Sequence, residues 1–367
     1  MTDREWHVFR GTGEPHDGWD SVPAPMIART FDDPVLSAPR KEDPGWRRRL
    51  GTHAVGAHQL RPENLDVINA AILCRRPLLV KGAPGLGKSS LAALIARELK
   101  LGPVLEWPVT SRATLQDGLY HYDALRRFEE ASLPLAAAPA LARRSRFSVT
   151  GVAGGRGPRA DRVGRDGAGS ADVADYLTLG PLGTALLPYD RPRVLLIDEI
   201  DKADVDLPND LLHVFEDGEF EIPELRRMRA HRPTVSVAVH GVGDRVEITE
   251  GHVRCSAFPI IVLTSNGERD FPQAFLRRCL QLPLDDPDSE QLARIVAAHL
   301  GEDAVRDYGD VIDTFIDRRT RFGALPTDRL LIAIHILSEA GHGGGNLSDA
   351  DREDLAARLM QPLDSTG

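Results

Sequence analysis

Residues 78–100 read LLVKGAPGLGKSSLAALIARELK: a short apolar run, a loop with three glycines, then apolar residues recurring at helical spacing. Leu91, Leu94, Ile95 and Leu99 share one helical face, which predicts a strand at 78–80, a tight turn and a helix from 89 to 100. Gly82, Gly85 and Gly87 let the backbone bend so that successive N–H groups point inward at an anion. The helix that follows adds the positive end of its dipole. In this eight-residue pattern Lys88 reaches the β- and γ-phosphates of a nucleotide, and the Ser89 hydroxyl binds Mg²⁺. A chance glycine-rich turn rarely carries the full pattern between an apolar strand and an amphipathic helix.

A phosphate loop needs a carboxylate from a neighbouring strand to organise the metal. RVLLIDEID at 193–201 supplies four apolar residues and then Asp198 and Glu199 at the strand's C-terminal end, the edge where open α/β sheets bind ligands. Asp198 is expected to hold Mg²⁺ through water, and Glu199 to polarise the attacking water. An acidic pair after a strand is often only a solvated turn; the loop upstream favours the functional reading. The DxxG and NKxD motifs of Ras-type GTPases are not evident. The next expected strand, 260–264, leads into Asn266, whose amide can bond both a γ-phosphate and a lytic water but is also a common turn residue. FPQAFLRRC then places Arg277 and Arg278 at a helix end, as surface caps or as charges offered to a neighbouring chain.

The rest of the chain frames these motifs. The 42% hydrophobic content of 367 residues supports a sizeable core, and the net charge of -10 advertises no chain-wide basic surface for nucleic acid or membrane. Lys occurs only at 41, 81, 88, 100 and 202, so each deserves inspection. Three scattered cysteines fit a reducing compartment better than a disulfide framework. With no apolar leader and no ~18-residue apolar run, a cytoplasmic protein is expected. Residues 1–55 read as an arm. Residues 56–284 read as an α/β core with a parallel sheet between helices, carrying further strands at 104–109 and 194–197 and a flexible insertion near 133–172 (or a basic finger). Residues 285–367 read as a small all-helical lid domain, with helical stretches at 289–300, 304–319, 327–340 and 348–360.

The loop, the acidic pair, Asn266 and the arginines, in this order, resemble the AAA+ superfamily. The segments LDVINAAILCRRPLLVKGAPGLGKS, LQDGLYHYDA, LGPLGTALL, LLIDEIDKAD, LLHVFEDGEFEIPEL and VLTSNGERDFPQAFLRRC are similar to its MoxR branch, with relatives among the dynein-type, magnesium-chelatase and McrB-like ATPases. The resemblance covers residues 60–338. It implies ATP binding by Gly82, Ala83, Pro84, Gly85, Leu86, Gly87, Lys88, Ser89 and Ser90 with Asp198, and Mg²⁺ held by Ser89 and Asp198. Catalysis would fall to Glu199, with Asn266 as the sensor 1 residue and Arg278, or else Arg277, as the arginine finger. Arg329 would be the sensor 2 arginine. Segments 179–187 and 220–253 would be inserts lining the pore of a ring, the second a hairpin. Asp201 and Lys202 replace the branch's usual Asn-Arg, and Cys279 replaces an aromatic. The implied protein is a Mg²⁺-dependent ATPase in a homo-oligomeric, hexameric ring, remodelling a partner and working beside a von Willebrand factor A-domain protein. A McrB-like nucleic-acid motor and a slow ATP-dependent switch in a defence or stress system are the alternatives.

Overall fold

The computed structural model describes residues 4–24, 35–40, 43, 45–46, 50, 60–132, 173–241, 244–322, 325–342, 354–355 and 358–359. The 133–172 insertion and most of the helical stretch expected at 348–360 lie outside them. The strands are β1 (Leu78–Lys81), β2 (Leu105–Pro108), β3 (Tyr120–Tyr122), β4 (Leu177–Leu179), β5 (Val194–Asp198), β6 (Glu219–Glu221), β7 (Thr234–Ala238), β8 (Arg245–Thr249), β9 (His252–Arg254), β10 (Ile260–Ser265) and β11 (Leu280–Pro283). The expected strands at 78–80, 104–109, 194–197 and 260–264 fall on β1, β2, β5 and β10.

Five strands form one parallel sheet in the order β11-β1-β10-β5-β2. Alternation along each strand sends side chains to opposite faces. Leu78, Val80, Val194, Leu196, Ile260 and Val262 join one core, and Leu79, Leu195, Ile197, Ile261 and Leu263 join another. Because both faces are covered, the inner strands β1, β10 and β5 are nearly continuous apolar runs, whereas the edge strands β2 and β11 carry the partly exposed Glu106 and the exposed Gln281. The helices Pro62–Cys74 and Lys88–Glu98 pack on the first face through Leu65, Ile68, Leu91 and Leu94. On the other lie the helix Leu207–Asp217, through Leu211 and Phe215, and a second sheet of six short strands ordered β3-β4-β7-β8-β9-β6. The stretch expected as a hairpin is built around β7 and β8, paired from Thr234↔Thr249 to Ala238↔Arg245, with β9 and β6 extending it. The 179–187 stretch ends β4 and continues into the short helix Pro181–Ala185, whose residues are all buried.

Within the N-terminal arm, residues 8–13 are fastened to the first face, whereas Leu36 and Ala38 pack against the other core. Phe9 is fully buried in the core of the first face. The buried Asn69 Oδ1 accepts the N–H groups of Val8 and Phe9, both at 2.8 Å, and its Nδ2 donates to Phe9 O at 2.7 Å. Glu98, the last residue of the helix begun at Lys88, is also fully buried and accepts the N–H groups of Arg10 at 2.5 Å and Gly13 at 2.9 Å. Backbone donors thus satisfy a carboxylate that would otherwise be costly to bury.

After β11 the described residues form helices, Ser289–Leu300, Glu302–Asp307, Gly309–Phe322 and Thr327–His342, around a separate core of Leu292, Phe315, Leu330 and Ile334. Asp288 and Gln291 close a capping box at the start of the first. The stretch expected as one helix over 304–319 is two. Tyr308 leaves helical geometry at φ −129°, and its carbonyl accepts from Val311 N and Ile312 N, so it ends one helix and opens the next. Among the described residues no helix is long and apolar enough to cross a membrane.

Candidate nucleotide-binding and hydrolysis site

The sheet order decides which side chains meet. In a parallel sheet every strand ends at the same edge, and β10 lies between β1 and β5. The loop leaving β1, Asn266 after β10 and the acidic pair ending β5 are therefore neighbours, although 178 residues separate Lys88 from Asn266.

Gly85 and Gly87 adopt left-handed conformations, φ +82° and +73°. The helix begins at Lys88. The buried Lys88 ammonium donates to Gly82 O at 2.8 Å, Ala83 O at 2.9 Å and Asn266 Oδ1 at 2.7 Å. Burial pulls its pKa below the usual lysine range, opposed by the carboxylates of Asp201, Asp198 and Glu199. Ser89 Oγ donates to Asp198 Oδ1 at 2.7 Å. Glu199 turns the chain with φ +58°, an uncommon conformation for a residue with a side chain. Its carboxylate is met by Lys202 Nζ at 2.5 Å.

Beside the glycine loop a cavity of about 360 Å³ opens between the core and the C-terminal helices, lined by Leu60, Asn64, Gly85, Leu91, Leu284 and Leu331 among others. Gly85 is packed so tightly there that a Cβ would lie 2.9 Å from Thr327 N. Thr327, Asp328 and Leu331 share the helix face that lines the cavity; Arg329, about 100° further round the helix, is not among the lining residues.

Arg277 and Arg278 follow the short helix Gln273–Leu276 and precede β11. Since Leu280 pairs with Leu78, they sit at the entry end of β1, whereas the glycine loop leaves the exit end. Four strand residues at about 3.3 Å each separate the two ends by roughly 13 Å. Arg278 Nε donates to Glu216 Oε1 at 2.5 Å and its Nη1 to Ala274 O at 3.2 Å, while Arg277 is exposed. The structure thus brings together the glycine loop, Lys88, Ser89, Asp198, Glu199 and Asn266, places Arg277 and Arg278 at the far end of the sheet, and does not have Arg329 among the residues that line the cavity beside Gly85.

Two further residues belong to the cluster: Thr264, which the sequence did not single out, and Asp201, which it marked only as a departure from the branch's pattern. Thr264 Oγ1, fully buried, donates to Asp198 Oδ1 at 2.6 Å and accepts Glu199 N–H at 2.8 Å. Asp201 Oδ2 accepts from Asn266 N at 2.9 Å and Glu268 N at 3.1 Å. The available signals were a hydroxyl at the end of an apolar strand, two positions before Asn266, and a third acid within four residues.

Ser89 and Asp198 offer one hydroxyl and one carboxylate, hard oxygen donors suited to Mg²⁺, which keeps waters and takes substrate phosphates for its remaining positions. Among the described residues no group of three or more His, Cys, Asp or Glu could hold a metal, so a dedicated all-protein cage is not what this edge provides.

A five-stranded parallel sheet with a glycine loop, an acidic pair and an interposed polar strand tip at one edge defines a P-loop nucleoside triphosphatase. Residues 77–279, more than half of the chain, match the AAA domain of the dynein-related subfamily, and the chain belongs to that family. An AAA domain implies ATP binding and hydrolysis. No curated protein matches the chain.

Proposed function

We propose that this chain is a Mg²⁺-dependent ATPase of the MoxR branch, completed by assembly into a hexameric ring and used to remodel a partner protein. The carrying observation is the unit formed by Lys88, Asn266, Ser89 and Asp198 at one sheet edge. Backbone N–H groups of the glycine loop and the Lys88 ammonium hold the phosphates, and the apolar cavity beside Gly85 takes the nucleoside. Ser89 and Asp198 would hold Mg²⁺, which would neutralise charge on the phosphate oxygens. Glu199 accepts the proton of the water that attacks the γ-phosphorus as the bond from that phosphorus to the β,γ-bridging oxygen breaks and ADP leaves, and the Asn266 amide orients that water. The helices from Ser289 onward act as the lid.

The placement of Arg278 supports assembly. It lies at the far end of the sheet from its own glycine loop, so its charge serves a phosphate only on an adjacent subunit. Arg329 lies outside the cavity lining in this arrangement and is proposed to reach the γ-phosphate when the lid rotates. The resemblance to the MoxR branch supports a von Willebrand factor A-domain protein as partner.

The test is the ATPase rate per chain against protein concentration, with sedimentation run in parallel. The proposal expects the rate to rise as hexamers form and to ignore added DNA or RNA. A constant rate from a monomer sinks the assembly reading, and strong stimulation by DNA moves the chain to the nucleic-acid motors.

A further inference from the structure

We propose that Thr264 is a positioning residue that sets both members of the acidic pair through one hydroxyl; this rests on the ATPase reading above. The register Leu263↔Ile197 places Thr264 level with Asp198 on the neighbouring strand. Its Oγ1–H donates to Asp198 Oδ1 at 2.6 Å, and the same oxygen accepts the Glu199 N–H at 2.8 Å. Asp198 Oδ1 receives a second hydroxyl from Ser89 at 2.7 Å. Two donors on one oxygen fix the rotation of the carboxylate and direct Oδ2 away from the pair.

Glu199 depends on the hydroxyl differently. At φ +58° and ψ +49° it holds a conformation that ordinarily favours glycine, and its N–H leaves the strand ladder. The Thr264 hydroxyl is the acceptor for that N–H, so it offsets the cost of the turn and fixes the direction in which the Glu199 side chain leaves the backbone. Without it, a donor stays unsatisfied beside a fully buried position, which favours rearrangement of the turn.

Thr264 is also two residues before Asn266, which directly follows β10. The strand tip that touches Lys88 through Asn266 therefore carries the hydroxyl that holds the acidic pair. A shift of this tip on phosphate binding or release is delivered to Glu199 through one side chain. Asp201, holding Asn266 N and Glu268 N, keeps the tip in place from below.

The test compares Thr264→Val, which keeps the shape and strand preference but removes the hydroxyl, with Thr264→Ser, which keeps the hydroxyl. Three readouts are needed: kcat and KM for ATP, binding of a fluorescent ATP analogue without metal, and the Mg²⁺ concentration for half-maximal tightening of that binding. Loss of an orienting partner behind a metal ligand typically costs 10- to 100-fold. Thr264→Val should therefore lower kcat about 30-fold and raise the Mg²⁺ requirement about tenfold, with metal-free affinity unchanged within about twofold. Thr264→Ser should recover most of the rate and the Mg²⁺ response, with circular dichroism confirming that both variants fold. The proposal is overturned if Thr264→Val keeps kcat and the Mg²⁺ response within about threefold of wild type, or if Thr264→Ser loses as much as Thr264→Val. If the wild-type chain binds nucleotide without hydrolysing it, the ATPase reading fails while the Mg²⁺ titration still decides the role of Thr264.

Discussion

The Lys88 ammonium donates to Asn266 Oδ1 at 2.7 Å, joining the glycine loop to the tip of β10 as one unit. The two contribute differently to a bound nucleotide. Lys88 supplies charge, so Lys88→Ala should weaken ATP binding about 10- to 100-fold, the range of a lost charge-assisted hydrogen bond. Asn266→Ala should leave binding within about threefold and lower kcat by at least tenfold, because its amide is proposed to orient the attacking water. Titration with a fluorescent ATP analogue and steady-state kinetics separate the two.

Arg278 and Glu199 belong to different halves of the proposed intersubunit site. Arg278→Ala and Glu199→Gln should each be inactive alone, yet mixing them should restore activity, because some interfaces then combine an intact Glu199 with an intact Arg278. Recovery of about a quarter of the wild-type rate is expected for a random mixture with independent interfaces. If Arg278→Ala stays active while Arg277→Ala does not, the finger is Arg277.

Lys202 meets the Glu199 carboxylate at 2.5 Å, but both side chains are more than 40% exposed. An ion pair of that kind is worth at most about 1 kcal/mol. Lys202→Ala should accordingly change the hydrolysis rate by less than about fivefold, a small effect beside that expected for Thr264→Val.

Glu98 should matter for stability and not directly for catalysis. Replacing this fully buried carboxylate by alanine strands the N–H groups of Arg10 and Gly13 and loosens the arm. The expected loss is about 2–4 kcal/mol, from the buried Gly13 N–H and the partly buried Arg10 N–H left without their partner. Urea unfolding of Glu98→Ala, compared with a chain lacking residues 1–22, checks whether the arm and the carboxylate act together.

Cys279 is buried, and that burial pushes its thiol up to about 12. At pH 8 it holds almost no thiolate, so alkylation of the folded chain should modify Cys74, which is partly exposed, well before the buried Cys255 or Cys279. Mass spectrometry of the peptides after a short iodoacetamide pulse reads the order.

The contiguous parts of the site were legible in the sequence because their chemistry demands neighbours in the chain. The glycine loop must be an unbroken turn, and Asp198 and Glu199 must end one strand. The rest depends on which strands lie side by side, information that a one-dimensional pattern does not carry. Nothing in 78–81 or 194–198 says that β10 separates them, and that insertion alone brings Asn266 to Lys88 and Thr264 to Asp198. Asp201 looked like a departure from a family pattern; in the fold it anchors the loop after β10. The break at Tyr308 was hidden because the apolar spacing on both sides of it is helical.

The most direct test is a single-turnover measurement on Glu199→Gln beside wild type, with Mg²⁺ and radiolabelled ATP. The amide keeps the shape of the side chain but cannot accept the proton of the attacking water. ATP should bind with wild-type affinity within about threefold and remain intact, with hydrolysis slowed by 100-fold or more, the order expected for loss of a general base. Hydrolysis by Glu199→Gln at the wild-type rate would contradict the assignment of this edge as the hydrolytic site.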